Sequence, residues 1–343
     1  MASPPATTNT LQMMNNCCLT GLGYYVPEKV MTNHDFELLM DTSDEWITTR
    51  TGIKQRHVCT DQACSDLAYH SSILALKEAS LAPQELTHII VATFTPDALI
   101  PNAACILLEK LGHRNIAAVD INTACTGFIY GLELARGLCM LPGETNVLVV
   151  ASEALTTRVN FSDRSTCVLF GDGAGAAVVS NSSRIQATMP GRLLDVSLKA
   201  DGALGELLTI KGGGSAHPMA LGETVKENFF VQMEGREVFK HAVRSMYNVS
   251  LEIMERNNIR PWDIDLVVPH QANIRIIEAL AKKMNLDPAN LFVNVQKYGN
   301  TSAASVPIAL AEAKEKGRIK PGDLVLMVAF GGGFTWGAAL VQF

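Results

Sequence analysis

The two halves of this chain repeat one order of turns, strands and helices. A Pro-Gly-acid turn at 142–144 and another at 321–323 each lead into a run of aliphatic residues. Glycine-rich segments that continue as strand patterns, at 171–179 and 331–341, then close each half. The matching positions lie roughly 177 to 179 residues apart. A repeat of this length predicts two similar structural halves and excludes a solenoid of short units.

Strand patterns alternate with helix patterns in both halves, which predicts an α/β fold containing parallel strands. The composition, 48% hydrophobic and 18% charged, is that of a well-buried globular protein. We place the N-terminal half at 17–184 and the C-terminal half at 185–343. Residues 1–16 are uncharged and rich in Thr, Asn and Pro, so we interpret them as a disordered leader.

Cys125 is the first candidate for chemistry because of its position between a strand and a helix. It follows a predicted buried strand at 119–121, and apolar residues then recur at helical spacing from Phe128 to Cys139. A thiol at a helix start feels the positive helix end and free N–H groups, so we expect a lowered pKa and a thiolate. The remaining cysteines considered are interpreted as inert core residues, namely Cys59, Cys64, Cys105, Cys139 and Cys167.

Two further polar residues complete a possible site. His270 follows the apolar strand pattern 266–269, and strand ends are where open α/β sheets place their sites. Asn300 lies in a Gly-Asn-Thr-Ser turn before a predicted helix at 306–313, where by itself it would equally be a helix cap. Cys125 can carry an acyl group, while His270 and Asn300 can donate N–H groups to an enolate oxygen. The three residue types therefore suit carbon–carbon bond formation on a thioester.

Charge and cysteine usage exclude several other classes. A net charge of −6 with a pI near 5.8 disfavours general nucleic-acid binding. The eight cysteines form no Cys-x-x-Cys pair or Cys/His cluster, which favours a reducing, cytoplasmic location and argues against a metal site. The long uncharged run 324–343 is interrupted by three glycines, so we expect a buried hairpin and no membrane insertion. The glycine segments lack the spacing of a dinucleotide turn and a Walker lysine.

Four longer segments, in this order, are highly specific. They are Asp-Thr-Ser-Asp-Glu-Trp-Ile at 41–47, Thr-Arg-Thr-Gly-Ile at 49–53, Phe-Gly-Asp-Gly-Ala-Gly-Ala at 170–176 and Phe-Gly-Gly-Gly-Phe-Thr-Trp-Gly at 330–337. On the basis of these segments, the chain from about Leu19 to Phe343 resembles β-ketoacyl-acyl carrier protein synthase III. The resemblance implies a thiolase-like, five-layered αβαβα fold built from two duplicated βαβαβαββ halves, usually as a homodimer.

The resemblance also implies an activity. Enzymes of this family are acyltransferases that condense an acyl-coenzyme A primer, here expected to be acetyl-coenzyme A, with malonyl-acyl carrier protein. Loss of carbon dioxide drives formation of 3-oxoacyl-acyl carrier protein, through an acyl-Cys125 intermediate, and initiates fatty acid biosynthesis. Cofactors are not implied, since the coenzyme A thioester is itself a substrate.

Further site residues are carried over from the family position by position. The backbone N–H groups of Cys125 and Gly332 would form an oxyanion hole. Trp46 and Arg164 would enclose the adenine of coenzyme A, Arg50 and Thr51 would lie near the nucleotide, and Asn273 would contact pantetheine. The residues expected to bind the acidic carrier protein are Lys240, Arg244, Gln271 and Arg275.

Two positions depart from the family pattern. Ile100, which would reach toward the partner's acyl pocket, stands where acetyl-selective members often carry phenylalanine, so the primer's chain length stays open. Arg236 stands where close relatives often carry asparagine, so a pantetheine contact there is in doubt.

The sequence leaves other functions as alternatives. Chalcone synthase-like enzymes share the Cys-His-Asn set, and quinolone- or ester-forming homologues resemble this family closely. A papain-like hydrolase has the same residue order, but no Cys-Gly-Ser-Cys-Trp context surrounds Cys125. A non-catalytic carrier-binding protein would not need Cys125.

Overall fold

The structure is a computed structural model that describes residues 17–181, 185, 187–220 and 222–343. Segment 1–16, which we interpret as a leader, lies outside the described residues. The predicted boundary between the halves, at 184 and 185, falls in a stretch that is only partly described.

The N-terminal half contains the strand and helix order that the repeat predicted, with a small insertion after the first strand. Its elements are β1 (Cys18–Tyr25), β2 (Val30–Thr32), α1 (Asn33–Glu37), α2 (Asp44–Thr51), β3 (Gln55–His57), α3 (Cys64–Ala79), β4 (His88–Ala92), α4 (Ala103–Lys110), β5 (Ala117–Ile121), α5 (Gly127–Cys139), β6 (Asn146–Glu153) and β7 (Gly173–Ser180). Without β2, α1, α2 and β3, this order is βαβαβαββ.

The C-terminal half has the same plan with one shortened strand. Its elements are β8 (Gly191–Ala200), β9 (Leu208–Thr209), β10 (Gln232–Met233), α6 (Gly235–Arg256), β11 (Leu266–Pro269), α7 (Ile274–Met284), α8 (Val295–Tyr298), α9 (Ser305–Glu315), β12 (Leu324–Gly331) and β13 (Thr335–Gln342). Where the first half has β5, this half has a single parallel bridge between Val267 and Leu291.

The two halves pack as five layers. The strand order is β11-β12-β13-β8-β1-β7-β6-β4-β5, and the halves join where Cys18 and Leu19 of β1 pair with Arg192 and Gly191 of β8. Helices α5 and α9 pack against strands of both halves and form the middle layer, while α3 and α4 cover one outer face and α6 and α7 the other. The thiolase-like αβαβα prediction is confirmed.

The central layer explains why α5 is apolar on its predicted face. Phe128, Leu132, Ala135 and Cys139 are all buried, because the helix lies between the two sets of strands. The predicted hairpin at 324–343 is also confirmed, since β12 and β13 pair antiparallel from Leu324 with Gln342 to Gly331 with Thr335.

One prediction of burial is wrong. The strand before Cys125 is present as β5, but among the described strands it lies at the edge of the sheet, where it pairs with β4 alone. Val119 is therefore 47% exposed. Separately, no helix among the described residues combines the length and the hydropathy that a membrane span needs.

Candidate active site

One cavity of about 1110 Å³ opens between the two halves. Its lining includes Cys125, His270 and Asn300, which come from three segments distant in the sequence. Cys125 follows β5, His270 follows β11, and Asn300 precedes α9. The structure thus brings together the three residues that the sequence singled out.

A short, tight turn holds Cys125 at the start of the central helix. Ala124, Cys125 and Thr126 form a 3-10 helix that continues directly into α5. Ala124 has a φ of 46°, a left-handed conformation that costs a non-glycine residue on the order of 1–3 kcal/mol. The Thr126 hydroxyl anchors the turn by donating to the Thr123 carbonyl at 2.7 Å. The Cys125 thiol is therefore held by strained backbone and not by a flexible loop.

Gly331, at the end of β12, packs directly against Cys125. A Cβ on Gly331 would lie 2.7 Å from the backbone nitrogen of Cys125 and 3.1 Å from its Cβ. Gly332, the expected second member of the oxyanion hole, lines the same cavity, and a Cβ there would lie 3.7 Å from the Cβ of Ala124. Absence of side chains at this turn leaves room for a substrate oxygen beside the Cys125 N–H.

The expectation of a thiolate at Cys125 is wrong for the unliganded protein. Burial raises the pKa of the thiol to about 11, and the charge on Glu153 raises it further. Hydrogen bonds from the Ser302 hydroxyl and from the backbone N–H of Cys125 itself lower the thiol pKa but do not offset the burial. Desolvation of the sulfur raises the thiol pKa more than the positive end of α5, on which the prediction relied, lowers it.

His270 is buried and neutral. Burial lowers the pKa of its imidazole to about 4. Its Nδ1 lies 2.6 Å from the Ser305 hydroxyl, which in turn accepts the backbone N–H of Gln271 at 3.3 Å. The hydroxyl can donate its hydrogen to Nδ1 while it accepts the Gln271 N–H. In that arrangement the imidazole proton lies on Nε2, the nitrogen that an enolate oxygen would need as a donor.

Asn300 uses its side-chain oxygen within the protein. The Oδ1 atom accepts the backbone N–H of Ser302 at 2.9 Å, while its own backbone N–H donates to the Leu169 carbonyl at 2.8 Å. The bond to Ser302 forms a local turn and not the helix cap that the sequence allowed, since the N-caps of the 3-10 helix 302–304 and of α9 are Thr301 and Ala304, without a side-chain cap bond. The amide Nδ2 remains as the donor group available to a ligand.

The mouth of the cavity contains most of the residues expected near coenzyme A. Trp46, Arg50, Thr51 and Asn273 line it, and Asn273 also caps α7 by accepting the Arg275 N–H at 2.8 Å. The Arg50 and Arg164 guanidinium groups lie 4.5 and 4.7 Å from the Trp46 ring centre.

Arg164 occupies the space that an adenine would need. An aromatic ring between two planar groups separates them by about 7 Å, twice a carbon–carbon contact distance. Arg164 lies nearer to Trp46 than that and donates from Nη1 to the Asp41 carbonyl at 2.6 Å. For Trp46 and Arg164 to enclose an adenine as expected, the Arg164 guanidinium must move away from the Trp46 ring.

The basic residues expected to bind a carrier protein are placed unequally. Lys240 and Arg275 line the cavity, and Lys240 also pairs with Glu237 at 2.6 Å. Arg236, the departure from the family pattern, lines the same cavity. Arg244 instead borders a smaller neighbouring cavity, where its Nη2 lies 3.2 Å from Nδ1 of His241.

Gln271 does not fit a surface contact. It is 1% exposed, and its amide nitrogen donates to the Pro269 and Phe292 carbonyls. Its side-chain oxygen accepts the N–H groups of Asn294 and Val295. A side chain held in this way is out of reach of a carrier protein, so we correct this assignment to a structural one.

Ile100 does not line the cavity of its own chain. It is 90% exposed, next to Leu99, which is equally exposed. Its expected contact with the acyl pocket of a partner chain stays a prediction.

Three polar residues near Cys125 were not singled out from the sequence. Ser302 begins the 3-10 helix that follows Asn300, and Ser305 is the first residue of α9. Glu153 is the last residue of β6. Glu153 ends an apolar strand pattern, which is a weak signal of a buried carboxylate. The two serines gave no signal in the sequence, because small hydroxyl residues are common before helices.

Comparison with known proteins gives matches along nearly the whole chain. Two family models match: "3-Oxoacyl-[acyl-carrier-protein (ACP)] synthase III" at residues 119–202 and "3-Oxoacyl-[acyl-carrier-protein (ACP)] synthase III C terminal" at residues 254–343. A β-ketoacyl-[acyl-carrier-protein] synthase III from Nitratidesulfovibrio vulgaris is 53% identical over 333 residues, which cover 96% of this chain and 100% of the relative.

Solved structures agree. The crystal structure of 3-oxoacyl-[acyl-carrier-protein] synthase III from Aquifex aeolicus has a TM-score of 0.87 and 46% identity, covering 95% of this chain and 100% of that one. The priming β-ketosynthase of the R1128 polyketide pathway has a TM-score of 0.86 and 31% identity, with 96% of each chain covered.

Proposed function

The chain belongs to the β-ketoacyl-acyl carrier protein synthase III family, and we propose that Cys125, His270 and Asn300 carry out the reaction of that family. The enzyme condenses an acyl-coenzyme A with malonyl-acyl carrier protein, with loss of carbon dioxide, and so initiates fatty acid synthesis. The observation that carries the residue assignment is that a buried, neutral His270 and the Asn300 amide line one cavity with Cys125.

In the first half-reaction, the Cys125 sulfur attacks the thioester carbonyl of the acyl-coenzyme A. The backbone N–H groups of Cys125 and Gly332 receive the oxygen of the tetrahedral intermediate. One such preorganised donor is worth roughly 3–4 kcal/mol. In this step the Cys125 S–H bond breaks and its proton goes to solvent. The intermediate collapses to acyl-Cys125, and coenzyme A leaves as a thiolate that solvent protonates.

In the second half-reaction, malonyl-acyl carrier protein enters and loses carbon dioxide. The electron pair of the broken carbon–carbon bond moves onto the thioester oxygen as an enolate, where Nε2–H of His270 and Nδ2–H of Asn300 stabilise it. The enolate carbon attacks the acyl-Cys125 carbonyl, and the cysteine sulfur leaves as a thiolate that takes up a proton from solvent. A general base is not needed, because decarboxylation itself generates the carbanion.

The partners follow from the cavity mouth. Trp46, Arg50, Thr51 and Asn273 would contact coenzyme A, with Arg164 moving aside. Lys240 and Arg275 would meet the acidic carrier protein, with Arg244 at the periphery. We further propose a homodimer in which Ile100 contacts the partner's acyl pocket. The proposed setting is the reducing cytoplasm, which suits the free thiols of all eight cysteines.

Labelled acetyl-coenzyme A tests the nucleophile. Wild type should take up one label on Cys125, and Cys125→Ala should take up none. Cys105→Ala, which removes an exposed cysteine away from the cavity, serves as the matched control and should label like wild type. Stoichiometric label on a different cysteine would end the assignment.

The two half-reactions separate the roles of the donors. His270→Ala and Asn300→Ala should each retain substantial acyl-Cys125 formation and lose about a hundredfold in malonyl decarboxylation, the effect of removing one enolate donor. Stopped-flow acylation and release of labelled carbon dioxide on the same variants give the ratio. If acylation collapsed while decarboxylation survived, the two residues would be activating the nucleophile, as in a hydrolase.

A further inference from the structure

Arg158 is a basic residue of the cavity that the reaction steps above do not use. It is the last residue of a 3-10 helix at 155–158, and it lines the same cavity as Cys125. Among the described residues, no carboxylate pairs with its guanidinium and no oxygen accepts a hydrogen bond from it. The residues outside that description include no Asp or Glu. Arg158 is therefore a cation that lacks a counter-charge from its own described surroundings.

The three guanidinium nitrogens of Arg158 differ in what can reach them. Nη1 is buried and has no partner among the described residues. Nε and Nη2 make no hydrogen bond to those residues either, but they are not covered, so a ligand can reach them. Together they form the two-pronged edge of the guanidinium that matches the two oxygens of a carboxylate. The guanidinium carbon lies 4.1 Å from the centre of the Phe229 ring, and this contact helps to hold the group in place.

Burial distinguishes Arg158 from the other basic side chains of the cavity. Arg50, Arg236, Lys240 and Arg275 are exposed, whereas Arg158 is half-buried. Burial lowers the pKa of its guanidinium, which nevertheless stays charged at neutral pH. A partly desolvated cation without a counter-charge is costly, and an anionic group on the substrate would offset that cost.

One apolar wall of the cavity begins beside the reacting groups. Leu208 lies against Gly332, because a Cβ on that glycine would be 3.7 Å from the Leu208 Cγ atom. Phe170 is joined by a parallel backbone bridge to Asn300. Leu208 and Phe170 both line the cavity and pack in one apolar cluster. An acyl chain on Cys125 would therefore have this wall beside its carbon atoms.

The same wall includes the neighbours of Arg158. Leu155 is buried, lines the cavity and lies one 3-10 turn, about 6 Å, before Arg158. Val231 also lines the cavity, and its N–H donates to the Arg158 carbonyl at 2.9 Å. Both belong to the apolar cluster that contains Phe170 and Leu208. The wall would thus contact the methylene groups of a primer, and the guanidinium would meet a charged group at the end of its chain.

We propose that Arg158 binds a carboxylate at the far end of the acyl chain. The enzyme would then accept ω-carboxyacyl-coenzyme A primers, which are the monothioesters of short dicarboxylic acids. The proposal rests on the proposed function, because it requires an acyl group on Cys125. The bonds made and broken are those of the two half-reactions above, and the distal carboxylate stays intact. Condensation would give a 3-oxoacyl-acyl carrier protein that has a carboxylate at the other end of its chain.

Matched pairs of primers test the proposal on the full enzyme. Succinyl-, glutaryl- and adipyl-coenzyme A are compared with the methyl-ended thioesters of the same chain lengths, butyryl-, valeryl- and hexanoyl-coenzyme A. The measured quantity is the second-order rate constant for acylation of Cys125. With at least one carboxylated primer, wild type should react about tenfold or more faster than with its methyl-ended match, the size expected of a charge-assisted hydrogen bond.

Substitutions assign the preference to one side chain. Arg158→Met should remove it, because methionine keeps an unbranched side chain but carries no charge. Arg158→Lys, which keeps the charge without the two-pronged edge, should keep part of the preference. Arg236→Met is the matched control, because it removes an exposed basic side chain from the same cavity. It should change the rates for both members of each primer pair alike.

Equal rates for both members of every pair in wild type would overturn the proposal, and so would a preference that survives in Arg158→Met. The wild-type comparison does not depend on whether the methionine variant folds. Labelling with acetyl-coenzyme A separates this result from the proposed function. Label on Cys125 without any preference for a carboxylated primer would refute the role of Arg158 alone, whereas a wild-type enzyme without label on Cys125 would refute the function.

Discussion

Ala124 and Ser302 occupy the same place in two copies of one turn. Each has a left-handed backbone, with φ of 46° and 50°, and each begins a three-residue 3-10 helix that continues directly as an α-helix. These helices, α5 and α9, form the middle layer between the two halves. Each half therefore contributes an equivalent strained turn to the same cavity, and the two turns carry different side chains. One presents the Cys125 thiol to the cavity, while the other presents Asn300 and the hydroxyl of Ser302.

Gly331→Ala should abolish most acylation of Cys125. The new methyl group would lie 2.7 Å from the Cys125 nitrogen, so it would displace the turn or cover the N–H that receives the oxyanion. Loss of one such donor slows the chemical step by about a hundredfold or more. Gly137→Ala is the control, because a Cβ there meets nothing within 4 Å and α5 gains a better helix former. Equal acylation rates in the two variants would contradict the assigned oxyanion hole.

Ser305→Ala should impair decarboxylation more than acylation. The hydroxyl holds Nδ1 of His270 at 2.6 Å, and its loss frees the imidazole to move its proton from Nε2 to Nδ1. A hydrogen bond of this kind is worth about 0.5–1.5 kcal/mol, so we expect a loss of roughly three- to tenfold.

Nitrogen NMR of the imidazole gives an independent readout for this variant. Wild type should show one neutral tautomer from pH 5 to 9, because burial holds the pKa of His270 near 4. Ser305→Ala should show a mixture. Ser250→Ala, which removes a buried serine bonded to the Met246 carbonyl, should leave the His270 signal unchanged. An unmixed tautomer in Ser305→Ala would show that other contacts orient the ring.

Charge reversal at the cavity mouth should discriminate between the two substrates. Lys240→Glu or Arg275→Glu should raise the KM for malonyl-acyl carrier protein several-fold more than the KM for acetyl-coenzyme A, because the carrier is acidic. Salt should weaken carrier binding to wild type through screening. Lys320→Glu, an exposed change before β12 and so at the end away from Gly331, is the control. Parallel changes in both KM values would assign Lys240 and Arg275 to folding.

Glu153→Gln should alter how stability depends on pH. With a folded pKa near 8 and an ordinary pKa of 4.5 when unfolded, the native carboxyl holds a proton that the unfolded chain has released. Wild-type stability should therefore fall as pH rises between these values, by up to about 1.4 kcal/mol per pH unit from this group. The glutamine variant lacks this term, so its stability relative to wild type should grow from pH 5 to 8. Denaturant unfolding at several pH values measures it, and parallel curves would mean that Glu153 is not buried as a neutral acid.

Local patterns in the sequence were sufficient for the main elements. The spacing of apolar residues predicted α5 and its buried face, and the glycine-interrupted apolar run predicted the β12–β13 hairpin. The repeat of the Pro-Gly-acid turns and glycine-rich segments predicted two similar halves. These features depend on neighbours within one helix turn or one hairpin, or on direct comparison of two segments, so the chain carries them explicitly.

The tertiary structure alone decided the environment of each site residue. The helix start predicted an ionised thiol, but burial contributed by distant segments raised the Cys125 pKa instead. The sequence predicted that Gln271 lies at the surface, but its side chain is buried and accepts the Asn294 and Val295 N–H groups. In the same way, β5 was predicted to be buried and is an exposed edge strand. The 3.5 Å contact between the Ser302 hydroxyl and the Cys125 sulfur joins two segments that only the packed halves bring together. Desolvation and hydrogen bonding are set by whatever surrounds an atom in space, and for these residues that surrounding comes from parts of the chain that local sequence does not specify.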